Sequence, residues 1–120
     1  MQSQEIPSDQ WIPFLNDLSR RHQGDKVTIE LMGNDVGDQR EAQDMPLLGI
    51  TVDPPAGQSR MIEVMVGDEQ GVNIAHDISH PIHVRLAKTD AGADVALEIE
   101  AESGPRTLVR FMPYSDAEPA

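Results

Sequence analysis

Trp11, Phe14, Leu15, Leu18 and His22 fall at offsets of 0, 3, 4, 7 and 11 along the chain. That spacing gathers side chains onto one face of an α-helix. It predicts a single N-terminal amphipathic helix, with Trp11 and Phe14 read as core rather than as a stacking platform for a ligand. Ser8 is placed to cap the helix, and Asp9 puts a negative charge in the first turn, where the helix dipole favours one. Arg20, Arg21 and His22 suit the opposite end, and Gly24 is the terminator. Pro13 lacks a backbone donor, so the helix either kinks there or starts close to it.

Beyond Gly24 the hydrophobic period drops to two. Val27, Ile29 and Leu31 alternate with Thr28 and Glu30, as in a half-buried strand. The same pattern returns in Leu48, Ile50 and Val52, and in Ile62, Val64 and Val66, with Met61, Glu63 and Met65 opposite. Residues 74–78 and 82–86 are predicted to pair, joined near His80-Pro81. Val95, Leu97 and Ile99 alternate against Glu98 and Glu100, and Val109 and Phe111 against Arg106 and Arg110. Residues 39–44 read as a short polar edge strand. Turns fall at 33–38, at Asp53-Pro54-Pro55-Ala56-Gly57, at 67–71 and at Gly104-Pro105. About eight short strands with tight turns predict an α+β fold: one N-terminal helix packed on a curled antiparallel β-sheet or small barrel. Residues 8–113 form a single domain, with a loose polar lead-in over 1–7 and a flexible tail over 114–120.

The chain has 120 residues and a formal net charge of −12, with 21 acids against 9 bases, and no cysteine. Its length supports a hydrophobic core without disulfides or a structural metal. The missing cysteines exclude a disulfide framework, a cysteine–zinc knuckle and a thiol nucleophile. Nucleic-acid binding needs a basic face to neutralise phosphates, and Arg20, Arg21, His22 and Lys26 are too few against this field. Docking on an anionic membrane fails for the same reason. The field instead favours encounter with a basic protein partner. The opening MQSQEIPSDQ has neither a basic nor an apolar leader segment, and no apolar run approaches a membrane span. The expectation is a soluble, cytoplasmic protein.

The run Ile6-Pro7-Ser8…Trp11…Phe14-Leu15…Ser19-Arg20-Arg21-His22-Gln23-Gly24 resembles the opening of a bacterial family catalogued as domain of unknown function 5335. Pro46-Leu47…Gly49-Ile50, His80-Pro81 and Asp90-Ala91-Gly92-Ala93-Asp94…Ala96-Leu97-Glu98-Ile99-Glu100 are also similar to it. The resemblance spans roughly residues 5–112 and implies a shared fold. It implies no activity and no catalytic residues.

Three of the four histidines lie in His76-Asp77-Ile78-Ser79-His80-Pro81-Ile82-His83. Imidazole is a common ligand of transition metals, which makes His76, Asp77 and His80 candidates for a metal or small ligand. In an extended strand, however, His76 and His80 would stand about 13 Å apart. Chelation then requires the chain to fold back at Ser79-His80-Pro81 or ligands from elsewhere. His83 has the opposite parity and shares its face with Arg85. In the bland reading, His76 is a half-buried, hydrogen-bonded histidine and His80 is a turn residue before proline.

No serine sits in a Gly-x-Ser-x-Gly setting, and Ser79 and His80 point to opposite faces of a strand. The many carboxylates single out no pair for acid–base chemistry. Gly33-Asn34-Asp35-Val36-Gly37 lacks the lysine and the following helix of a phosphate loop, and no calcium-loop pattern is present. Met61 and Met65 share a face opposite the apolar one. They form either an adaptable contact surface or a second buried side under the helix.

These observations favour a non-enzymatic acidic interaction or regulatory module without a cofactor. The alternatives are a small-ligand or metal-binding domain at His76 and His80, and an enzyme pairing His76 with a carboxylate. Residues 39–44 also offer an edge for homodimerisation, although their charges read equally well as protection against it.

Overall fold

The computed structural model describes residues 2–33, 37–53, 60–68, 70–71 and 73–111. In chain order they form strand β1 (Gln2–Glu5), a 3₁₀ turn (Ser8–Gln10), helix α1 (Trp11–His22), and strands β2 (Lys26–Gly33), β3 (Gly37–Asp53) and β4 (Met61–Gly67). Strands β5 (Asn73–Ser79), β6 (Pro81–Lys88), β7 (Asp94–Ala101) and β8 (Arg106–Phe111) follow. The strands make one antiparallel sheet in the order β1-β6-β7-β8-β2-β3-β4-β5, open at both ends.

The 17-residue strand β3 is the hinge of this architecture. Its first part pairs with β2 and its second, from Leu47 to Asp53, with β4. Register shifts at Val27, Ile29 and Glu30, and again between Leu47 and Gly49, bend the strands there. The sheet therefore folds over on itself, and His76 of β5 reaches Thr107 of β8 at 3.0 Å. Between the two halves lies one core, built from alternate residues such as Ile62, Val64 and Val66 of β4 and Leu97 and Ile99 of β7. Alternation places them there, since successive side chains of a strand face opposite ways.

Helix α1 adds Trp11, Leu15 and Leu18 to the same core and packs against β3. The Ser19 hydroxyl accepts the Ile50 N–H at 3.1 Å and fastens the helix beside the β3 bulge. Pro13 is the third helical residue, in the first turn, where a missing N–H breaks no intrahelical bond. No side chain caps the helix, contrary to the expectation for Ser8. Backbone closes the entry instead: Gln10 N–H bonds to Pro7 O, while the Ser8 carbonyl accepts from Arg60 Nη1. The Arg60 guanidinium also lies over the Trp11 ring, 5.3 Å from its centroid. At the other end Gly24 has φ +88, a conformation in which a side chain would be strained, and its N–H bonds to Leu47 O.

Three further expectations change. The N-terminal residues are not a loose lead-in: Gln2–Glu5 pair with β6, Ile6 is buried, and its N–H bonds to Val84 O. Residues 39–44 are no separate strand but part of β3, bonded to β2 on one side. Residues 74–78 and 82–86 do not pair with each other. β5 pairs with β4 and β6 with β7, so the order is not a simple meander. The reason is His80, the single residue between β5 and β6, whose φ of +54 sends the chain from one half of the sheet to the other. The tail at 114–120 lies outside the described residues.

Candidate functional site

On β5 the side chains of Ile74, His76 and Ile78 turn toward the core, and those of Ala75, Asp77 and Ser79 away from it. His76 is half-buried with Nε2 3.0 Å from Thr107 Oγ1. Burial pushes its pKa below the ordinary histidine value, against the opposing pull of Glu41 and Asp77. His76, Asp77 and His80 border one hollow of about 260 Å³, together with Ser79, Ser103 and Thr107. His80 is pinned there by its N–H to Arg60 O and by its carbonyl, which accepts from Glu102 N–H. The chain thus brings the three candidate residues to one rim. His76 and Asp77 nevertheless project to opposite sides of β5, which separates the imidazole from its neighbouring carboxylate. Among the described residues no group of three His, Asp or Glu side chains is arranged to hold a metal ion. His83 lies elsewhere, bonded to Glu5 of β1 at 2.6 Å.

The outer face of β3, β4 and β5 has a different character. Glu63 stands directly across from Asp77 on β5 and from Thr51 on β3. Met61 and Met65 flank it, both half-exposed, and Asp53 lies opposite Met61. A hydrogen bond with Asp77 raises the pKa of Glu63 above the usual carboxylate value, and burial and the charges of Asp77 and Asp53 add to the effect. Two carboxylates held together share a proton more readily than either would alone. Asp77→Asn is therefore expected to bring the Glu63 titration midpoint down toward the ordinary value. Carbon-detected NMR titration of the side-chain carboxyl measures this, and an unmoved midpoint would mean the two groups do not interact.

Among the described residues no ion pair brings an arginine to that face; the arginines are engaged elsewhere. Arg20 and Arg21 bond to Asp17, and Arg21 also to Asp94. Arg40 and Arg110 meet Glu30. Arg85 bridges Glu5, Glu98 and Glu100, and Arg106 holds Glu98. Arg60 completes the seven on the Trp11 ring. The arginine charge is thus spent on the helix and on the half of the sheet that runs from β1 to β2 and the first part of β3.

A third cluster was not visible in the sequence. The His22 ring, at the end of α1, has Nδ1 3.0 Å from Asp25 Oδ2 and Nε2 2.7 Å from Asp94 Oδ2. Arg21 Nη1 reaches the same Asp94 oxygen at 2.6 Å, and the ring stacks on Phe111 with centroids 4.2 Å apart. Carboxylate oxygens only accept, so whichever ring nitrogen carries a proton donates it to one of these two acids. The Asp94 side chain is only 4% exposed. Burial alone would raise its pKa, yet the His22 and Arg21 hydrogen bonds and charges hold it below the usual carboxylate value. Neither the hollow beside His76 nor the adjoining one bordered by Glu100, Glu102 and Arg106 reaches this cluster. It ties the helix to β7 and β8. The one sequence signal was an acid set directly before the apolar run Val95-Ala96-Leu97, with its partners more than 70 positions away.

The family model described as "Family of unknown function (DUF5335)" matches residues 2–120. An uncharacterised protein of Aquifex aeolicus (strain VF5) is 27% identical over 113 residues, covering 94% of this chain and 95% of that relative. No solved structure matches the chain.

Proposed function

This chain belongs to the Family of unknown function DUF5335, and we propose that it is a non-enzymatic interaction module of the bacterial cytoplasm that docks a basic protein on the outer face of β3, β4 and β5. The observation that carries this reading is the placement of Glu63, Asp77 and Asp53 beside Met61 and Met65, with every arginine engaged elsewhere. Like charges facing each other across a sheet are unfavourable, and a cation from outside relieves them. Half-exposed methionines adapt to varied apolar surfaces and give such a face short-range attraction. The net charge of −12 steers a basic partner toward the domain. Among the described residues, no helix is long and apolar enough to cross a membrane.

The test is affinity capture from the native host at low and high salt, with wild type beside Met65→Glu and the reversal Glu63→Lys/Asp77→Lys. Wild type is expected to retain a basic protein that salt elutes, and both variants are expected to lose it. If both variants retain the same proteins as wild type, this face is not the docking surface.

A further inference from the structure

The sheet ends at β5, and the backbone along that end is unspent. β5 pairs with β4 over seven consecutive residues with no bulge. The next rung of the same ladder is the bond from His80 N–H to Arg60 O at 3.2 Å. Hydrogen-bonded and non-bonded pairs alternate in an antiparallel ladder. Counted back from that rung, Ile78, His76 and Ile74 give their backbone groups to β4. The N–H and C=O groups of Asn73, Ala75, Asp77 and Ser79 point the other way. Among the described residues no backbone partner meets them there.

Edge strands are normally guarded by charged side chains, proline, a bulge or extreme shortness. Over its seven residues β5 has only the outward carboxylate of Asp77, which repels an acidic strand and attracts a basic one. The opposite edge, β1, is only four residues long. Beside the second half of β5 lies the hollow of about 260 Å³, whose far wall is Leu31, Ala101, Ser103, Pro105 and Thr107. Pockets for small molecules run to about 300–1,000 Å³. This one suits a side chain or two from an incoming segment better than a whole metabolite.

We infer that β5 accepts an extended segment of a basic partner as an added strand. Main-chain bonds to Asn73, Ala75, Asp77 and Ser79 hold the segment. Its lysine or arginine side chains lie over Asp77 and Glu63, and the alternate, small side chains turn toward His76 and Thr107. Strand addition of this kind takes its affinity from the main chain and its selectivity from alternate side chains. A second copy of this chain is the wrong occupant, because it would set more carboxylates against a face whose acids already oppose one another. The inference rests on the acidic docking face proposed above and specifies how the partner lies on it.

Two synthetic ten-residue peptides test it on the full chain: alternating lysine–threonine, and the same peptide with every second backbone nitrogen methylated. The first is expected to bind at low salt and to slow hydrogen exchange at the amides of Ala75, Asp77 and Ser79 by at least about tenfold, with Ile74, His76 and Ile78 unchanged. The methylated peptide is expected to lose most of that binding. Equal binding of both peptides with no new amide protection overturns strand addition and leaves the charged docking face standing. No binding of either peptide, where capture still depends on Glu63 and Asp77, also overturns strand addition alone. Loss of that capture as well removes the docking reading itself. A dimer in sedimentation whose β5 amides are already protected without peptide assigns the edge to a second copy and overturns the inference.

Discussion

Asp94→Ala is expected to lower the unfolding free energy by about 3 kcal/mol, the scale for removing one partner from a buried ion pair. In a domain of this size that is a melting shift of more than about 10 °C. The reasoning follows from what the carboxylate holds. His22, only 16% exposed, loses the acceptor for Nε2 and stands over a gap, while Arg21 is 45% exposed and keeps Asp17. Most of the cost therefore falls on the histidine, and Arg21→Ala is expected to cost no more than about 1 kcal/mol. The pH dependence has a definite sign. Asp94 titrates lower in the folded chain than in the unfolded one. Its contribution is complete above the unfolded value of about 3.9 and is lost as pH falls through the folded value beneath it. Urea unfolding of wild type and Asp94→Ala should thus differ fully near neutrality and converge in strong acid. A neutral-pH difference under about 0.5 kcal/mol, the scale of an ordinary surface change, would show the tie to be inert.

Phe111→Ala is expected to be costlier still, at about 4 kcal/mol, from lost burial and the cavity left behind. The side chain is 1% exposed and its ring supports the His22 imidazole. Phe111→Leu restores much of the volume but not the stacked face, so a deficit of about 1 kcal/mol should remain. Since both Phe111 and Asp94 hold His22, their effects should not add. In a double-mutant cycle, Phe111→Leu with Asp94→Ala is expected to destabilise by less than the sum of the single changes. Strict additivity would mean that the stack and the ion pair position the ring independently.

What could be read from the chain beforehand depended on how local its cause was. The helix was legible because Trp11, Leu15 and Leu18 sit at helical spacing, and all three are buried. The strands were legible wherever alternation ran unbroken, as in Ile62, Val64 and Val66. The strand order was not legible, because pairing is a choice among distant partners. Pattern alone could not show that β6 turns away from β5 at His80 to join β7. The length of β3 was hidden too, since Pro46 and the bulge at Leu47 interrupt an alternation that the backbone carries through. At the surface, the methionine stripe and His76-Asp77-His80 could be named from position. The Glu63–Asp77 contact needed the β4–β5 register, and the Asp94 tie needed the whole tertiary structure. Ser8 shows the converse failure. It has the right residue type for a cap, but the 3₁₀ turn satisfies the entry through backbone alone.

Strand β8 comes last along the chain among the described strands, yet it lies in the interior of the sheet, between β7 and β2. Before it is in place, β2 to β5 and β6 to β7 are two groups with no strand-to-strand bond between them. Each of those groups then has a bare flank, on β2 and on β7, where residues 106–111 belong. Those six residues then close both flanks at once. Removing that one strand therefore bares two sheet edges rather than one: β2 and β7 are both left as templates for mispairing, held together only by the rest of the shared core.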